Sequence, residues 1–200
     1  MSILEDISGV LFSPVSTFRE ILEAGPSLPR AALIVLLASI SNGLSGIAAQ
    51  GAFISLAESL PGLGASPNVG SITNPVELIL RSVIGGFFGW GFLTGVLFPI
   101  SRFLGGTGEF RDTLALLGFA MLPDIFQAPV AAVVMLTGGL AGTLISGIFG
   151  LIIGIWILVL DVLAVRESQK ISTSRAIAAV LITLTILILA FLFIISRLYQ

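Results

Sequence analysis

Residues 174–198 read SRAIAAVLITLTILILAFLFIISRL, and no charged side chain lies between Arg175 and Arg197. A helix needs about 20 mostly apolar residues to cross a hydrocarbon layer, so this stretch reads as a transmembrane helix. Four more of the same kind precede it, at 29–51, 76–101, 112–136 and 140–165. Together the five use well over half of the chain. None alternates with period two, which argues against a membrane β-barrel. Composition agrees: hydrophobic residues are 56% of the 200 and charged residues 10%, against about 25% charged in a soluble domain. The expected fold class is an all-α integral membrane protein, a five-transmembrane-helix bundle. Residues 1–28 are expected to form a cytoplasmic amphipathic leader and 29–200 the transmembrane domain.

The same composition excludes several functions. A net charge of −2 without a basic patch speaks against a nucleic-acid binder, and the absence of cysteine excludes a disulfide scaffold. With no histidine and no cysteine, the commonest zinc ligands and the usual catalytic triads are missing. The sequence is therefore read as non-enzymatic, with no cofactor and no metal.

Lysine and arginine set the expected orientation. Arg19, Arg30, Arg102, Arg111, Arg166, Lys170 and Arg175 fall on one side of five spans, and Arg197 falls on the other. Arg81 lies four residues after Glu77, a spacing that pairs them on one helix face. The amino terminus is expected in the cytoplasm and the carboxyl terminus outside, in the plasma membrane. The opening residues, with Glu5 and Asp6, do not resemble a cleaved signal peptide. Asn42, Asn68 and Asn74 all lack a glycosylation context, in keeping with a prokaryotic membrane.

The leader reads as two short helices. Ile3, Leu4, Ile7, Val10 and Leu11 form one apolar stripe, with Glu5, Asp6 and Ser8 opposite. Ser13 is placed to cap the second helix, Pro14 to begin it and Gly25-Pro26 to end it. Val15, Phe18, Ile21 and Leu22 form its stripe. Residues 53–57 either continue the first span or lie on the outer surface, and beyond Pro61 an irregular loop is expected. Gly105-Gly106-Thr107-Gly108-Glu109 lacks the Gly-Lys-Ser/Thr ending of a phosphate loop and reads as a tight turn.

Small residues four apart mark the second and fourth spans: Gly85 and Gly89, Gly91 and Gly95, then Ser146, Gly150 and Gly154. Such stripes let helix backbones approach closely, here expected within one bundle, with a homodimer as the alternative. The third span holds Met121-Leu122-Pro123-Asp124-Ile125-Phe126-Gln127-Ala128-Pro129. Pro123 and Pro129 each remove a backbone donor and break the helix, and Asp124 falls near the middle of the span. A carboxyl group there, with Gln127 and freed carbonyls nearby, is a candidate ion or proton site. Asp161, near the cytoplasmic end of the fourth span, is the other acid considered. The alternative is a kinked helix whose Asp124 is hydrogen-bonded to a neighbour. Proteolysis by paired aspartates needs both at one depth, whereas these two differ by several turns.

Several segments resemble one family. Phe103-Leu104-Gly105-Gly106-Thr107-Gly108-Glu109-Phe110 is followed by Thr113-Leu114, Leu116, Gly118-Phe119-Ala120 and Leu122-Pro123. This is similar to the glycine turn and third-helix start of the Yip domain. Trp156 and Leu158, Val165-Arg166-Glu167, Ile171-Ser172 and Ala176 resemble its fourth-to-fifth helix connection, and Ser13-Pro14 with Phe18 resembles prokaryotic members. The resemblance implies five spans and a cytoplasmic amino terminus. Eukaryotic members bind prenylated Rab GTPases, but the long extension typical of that branch is missing, so Rab binding is not carried over.

The expected function is that of an adaptor or membrane-organising module. Its exposed parts are the leader, the 102–111 turn and the 166–175 basic loop, and its partners the lipid bilayer with a cytoplasmic protein or a second copy. The alternative is a small transporter or channel using Asp124.

Overall fold

The computed structural model describes residues 3–60 and 74–198, so the loop expected beyond Pro61 lies outside it. Among the described residues the chain is all-helical, without a strand. The helices are α1 (Ile3–Phe12), α2 (Pro14–Glu23), α3 (Leu28–Ser59), α4 (Pro75–Phe103), α5 (Phe110–Ala120), α6 (Gln127–Thr137), α7 (Gly139–Gln169) and α8 (Thr173–Leu198), with a 3-10 turn at Leu122–Phe126 between α5 and α6. Five segments are long and apolar enough to cross a membrane: α3, α4, the run Phe110–Thr137, α7 and α8.

The helices differ from the sequence reading mainly at their ends. The first span runs on to Ser59, so residues 53–57 continue it. The third is interrupted at Pro123 alone: α5 ends at Ala120, and Asp124 N–H bonds to Met121 O at 3.1 Å in the tighter winding. Pro129, expected to break the helix as well, falls in the first turn of α6, where a missing donor costs no helix bond. The 166–175 loop is much shorter than expected. Arg166 and Glu167 are helix formers, and Arg166 lies where the helix dipole favours a cation, so α7 continues to Gln169. Lys170, at φ 55°, then ends it in the left-handed region. Ile171 N–H reaches back to Arg166 O at 3.2 Å, a Schellman closure with lysine where glycine is usual. Arg175 sits in the first turn of α8. Pro14 begins α2 as expected, but Ser13 caps it through its carbonyl, which accepts from Thr17 N–H at 3.2 Å, and makes no side-chain cap.

The described residues divide into two compact units. The first takes the chain up to Ala31, Gly89–Ala120 and Val159 onward; the second takes Ala32–Phe88 and Met121–Leu158. Val10, Phe18, Leu97, Leu116, Phe119 and Leu160 form the centre of the first, each at most 1% exposed. The second is built around Ala48, Ala52, Ala131 and Val134, flanked by Leu44, Val130 and Ile145. Small side chains at this seam fit helices held together by close packing, as expected where lipid removes the hydrophobic drive between helices. Phe88, Leu151, Phe191 and Phe193 are exposed, as side chains facing acyl chains are.

Close backbone approach falls off the expected stripes. A Cβ added at Gly85, Gly89, Gly91, Gly95, Gly150 or Gly154 would meet no atom within 4 Å. One at Gly86 would strike Ser39, whose carbonyl accepts from Ser82 Oγ at 2.7 Å. Four-residue spacing shows that glycines share a strip of helix, but not that the strip faces protein. Gly86 is one residue, about 100° of helix, away from the expected strip.

Candidate functional site

The first unit carries a polar platform built around the turn between α4 and α5. Gly105, at φ 93°, reverses the chain, and Gly106 N–H donates to Ser101 O at 2.9 Å. Thr107 N–H then donates to Gln169 O at 3.0 Å, tying the turn to the end of α7. Gly108 lies directly against the Ser168 carbonyl, where no side chain fits. Below the turn Gln169 Nε2 donates to Thr113 Oγ1 at 2.7 Å, and Thr113 Oγ1 is 3.2 Å from Ser168 Oγ. All three side chains are buried. Most buried polar groups are hydrogen-bonded. Here Gln169 Nε2 and Thr113 are, while Gln169 Oε1 has no partner among the described residues. The bonds that are made fix the register of turn against helix.

The leader is fastened to the same unit by charge as well as by its apolar stripe. Phe18 and Ile21 are buried as expected. Asp6, expected on the polar face of α1, is 1% exposed and bonds to Arg30 Nη1 at 3.0 Å. A carboxylate accepts that burial because a guanidinium meets it. Arg19 donates to both oxygens of Glu167, at 2.8 and 3.3 Å. The hydrogen bond and charge of Glu167 hold the Arg19 guanidinium above its ordinary pKa. Arg111 donates to Pro26 O at 3.4 Å. Phe110 stacks edge-on against Phe98 at 5.3 Å, and Arg102 lies over the Phe98 ring at 5.9 Å. Phe12 and Phe103 project, 84% and 91% exposed.

The polar residues of the broken span lie in the second unit. Asn42 on α3 is the side-chain hydrogen-bonding partner of Asp124, and Ser45 Oγ donates to Gln127 Oε1 at 3.2 Å. Two polar pairs thus cross from one face of α3 to the break and to the start of α6. Pro123 is buried and Pro129 exposed. Beside the break a groove of about 350 Å³ is walled by Phe126, Pro129, Val130, Phe149, Ile152 and Trp156, all apolar. Asp161 belongs to the first unit and is half-buried. Asp124 and Gln127 thus share the second unit, and Asp161 lies in the first. Asn42 and Ser45 were missed as partners. Their three-residue spacing on an apolar helix, which puts both on one face, was the available signal. On α4 the expected pair of Glu77 and Arg81 forms.

The segments quoted for the family resemblance thus meet largely in one place: Phe18 on α2, the glycine turn with Thr113, and Arg166–Ala176 all belong to the first unit. No curated protein and no solved structure matches the chain. The family model described as the Yip1 domain matches residues 8–195, nearly the whole length, and together with five helices fit to cross a membrane this means that the protein is a multi-pass membrane protein belonging to the Yip1 domain family.

Proposed function

We propose that the protein is a non-enzymatic adaptor or membrane-organising module acting through the polar platform of its first unit. The observation that carries this reading is the convergence of the leader, the glycine turn and the α7–α8 connection on one ion-paired surface. Such rigidity suits a surface that presents fixed groups to a partner. Arg102, Arg111, Lys170 and Arg175 are exposed on it, with Phe12 and Phe103 beside them. Aromatic and basic side chains at span ends mark the headgroup layer, and the concentration of lysine and arginine on this side of the spans supports a cytoplasmic face, in the plasma membrane on this reading. Asp124, held by Asn42, fits a fastener within the broken span better than a carrier of ions.

The test is a photo-crosslinking amino acid at Phe103 or Phe12, at native expression. The expected product is a discrete adduct, with another protein or a second copy, that disappears in Arg175→Glu. Recovery of uncrosslinked monomer from both positions would count against the reading. So would a proton or cation flux in sealed proteoliposomes that Asp124→Asn abolishes while the protein stays folded.

A further inference from the structure

A groove of about 390 Å³ opens on the first unit, with five charged residues in its wall: Arg19, Glu23, Asp112, Glu167 and Lys170. Its volume lies within the range of small-molecule sites. We infer that this groove binds the headgroup of an aminophospholipid, a primary ammonium and a phosphate joined by a short chain, from the leaflet in which the platform lies.

The depth of the groove selects a lipid. Asp112 lies in the first turn of the span Phe110–Thr137, and Glu167 in the last turn of the span Gly139–Gln169. Lys170 follows immediately. Both walls therefore stand where hydrocarbon gives way to headgroups.

The charges select the headgroup. Glu167 is occupied by Arg19, which uses two of the five N–H donors of a guanidinium and keeps the rest. Asp112 and Lys170 take part in no ion pair among the described residues. The groove thus offers the carboxylates of Glu23 and Asp112 to an ammonium and the donors of Lys170 and Arg19 to a phosphate. A headgroup carrying only negative charge meets three carboxylates. A choline headgroup has no N–H to donate to them, and its usual aromatic cage is missing from the lining.

Lys170 adds a separate reason. Its φ of 55° is a conformation that glycine adopts freely and other residues do not. A lysine kept there places an ammonium at the rim of the groove at a conformational cost. The inference does not depend on the adaptor reading, since the groove exists whether or not a protein partner docks.

The test titrates the purified full-length chain, in detergent micelles, with dioleoyl phosphatidylethanolamine, phosphatidylcholine or phosphatidylglycerol, and counts adducts by native mass spectrometry. Phosphatidylethanolamine is expected to bind at least about tenfold more tightly than the other two, as one charge-assisted hydrogen bond suffices to give. Glu23→Gln is expected to remove that preference, and Lys170→Gly to weaken binding of phosphatidylethanolamine at least about tenfold through its phosphate. The glycine relieves the left-handed backbone, so its loss of binding comes with an unfolding temperature no lower than that of the unaltered chain. Equal retention of the three lipids overturns the inference, as does a preference that survives Glu23→Gln or an affinity that Lys170→Gly leaves unchanged. Free phosphoethanolamine separates the two sources of the headgroup. If it fills the groove as tightly as the lipid does, the ligand is a soluble zwitterion and the lipid assignment fails.

Discussion

Replacing Gly108 by alanine tests the packing of the platform most directly. The new Cβ would overlap the Ser168 carbonyl oxygen and lie 3.1 Å from Gln169 Cα. Both obstacles are backbone, so no side chain can swing aside and one segment has to move. Overpacking of this kind costs about 1–3 kcal/mol. The movement also strains the 3.0 Å bond from Thr107 N–H to Gln169 O. Thr107 is exposed, so losing that bond adds only about 1 kcal/mol. The total of about 2–4 kcal/mol raises the opening equilibrium of the turn roughly 30- to 700-fold. Because the chain has no cysteine, a single Val165→Cys, at a position 0% exposed, reports opening by its thiol-labelling rate. Labelling slower than reclosing makes that rate proportional to the open population. Gly89→Ala, whose Cβ meets nothing within 4 Å, is the control and is expected to leave labelling unchanged. Equal labelling of the Gly108→Ala and Gly89→Ala proteins would refute the packing argument.

Three other predictions concern buried or ion-paired groups. Arg30→Met strands the Asp6 carboxylate and is expected to lower stability by about 2–3 kcal/mol, with Asp6→Asn milder; a double-mutant cycle in thermal unfolding reads their coupling. Asp124→Leu leaves Asn42 without its partner and is expected to cost about 1–3 kcal/mol, whereas Asp124→Asn keeps a hydrogen bond and is expected to stay near the unaltered protein in the same assay. Glu167 holds Arg19 above its ordinary pKa, so on the arginine side this contribution is in place across neutral pH and is lost as pH rises through the raised value. Molar salt, which screens exposed charges, is therefore expected to loosen α2, seen as faster protease cleavage of the leader, while a shift from pH 6 to 9 is not.

Much of the architecture was legible in the sequence because lipid imposes a simple rule. Each apolar run long enough to cross must satisfy its own backbone, so it is a helix, and five runs became five long helices. The break at Pro123 was legible for an equally local reason, the missing donor, whereas Pro129 lies in the first turn of α6. Helix ends were less so: Arg166 and Glu167 look like loop residues by charge, yet a helix terminus welcomes arginine as readily as water does.

Contacts between segments distant in sequence belonged to the tertiary structure. Asp6 looked solvated until Arg30, 24 residues away, was placed against it. Gly85 and Gly89 carried the stronger motif, but Gly86 meets the neighbouring helix, because spacing gives a face and only packing chooses which face is used. Asn42 and Ser45 gained their roles in the same way, when α3 was laid beside the broken span. Periodicity and hydropathy are properties of one segment and can be read along the chain. The partner of a buried charge or a close-packed glycine lies on another segment, and its identity is decided only when the helices are assembled.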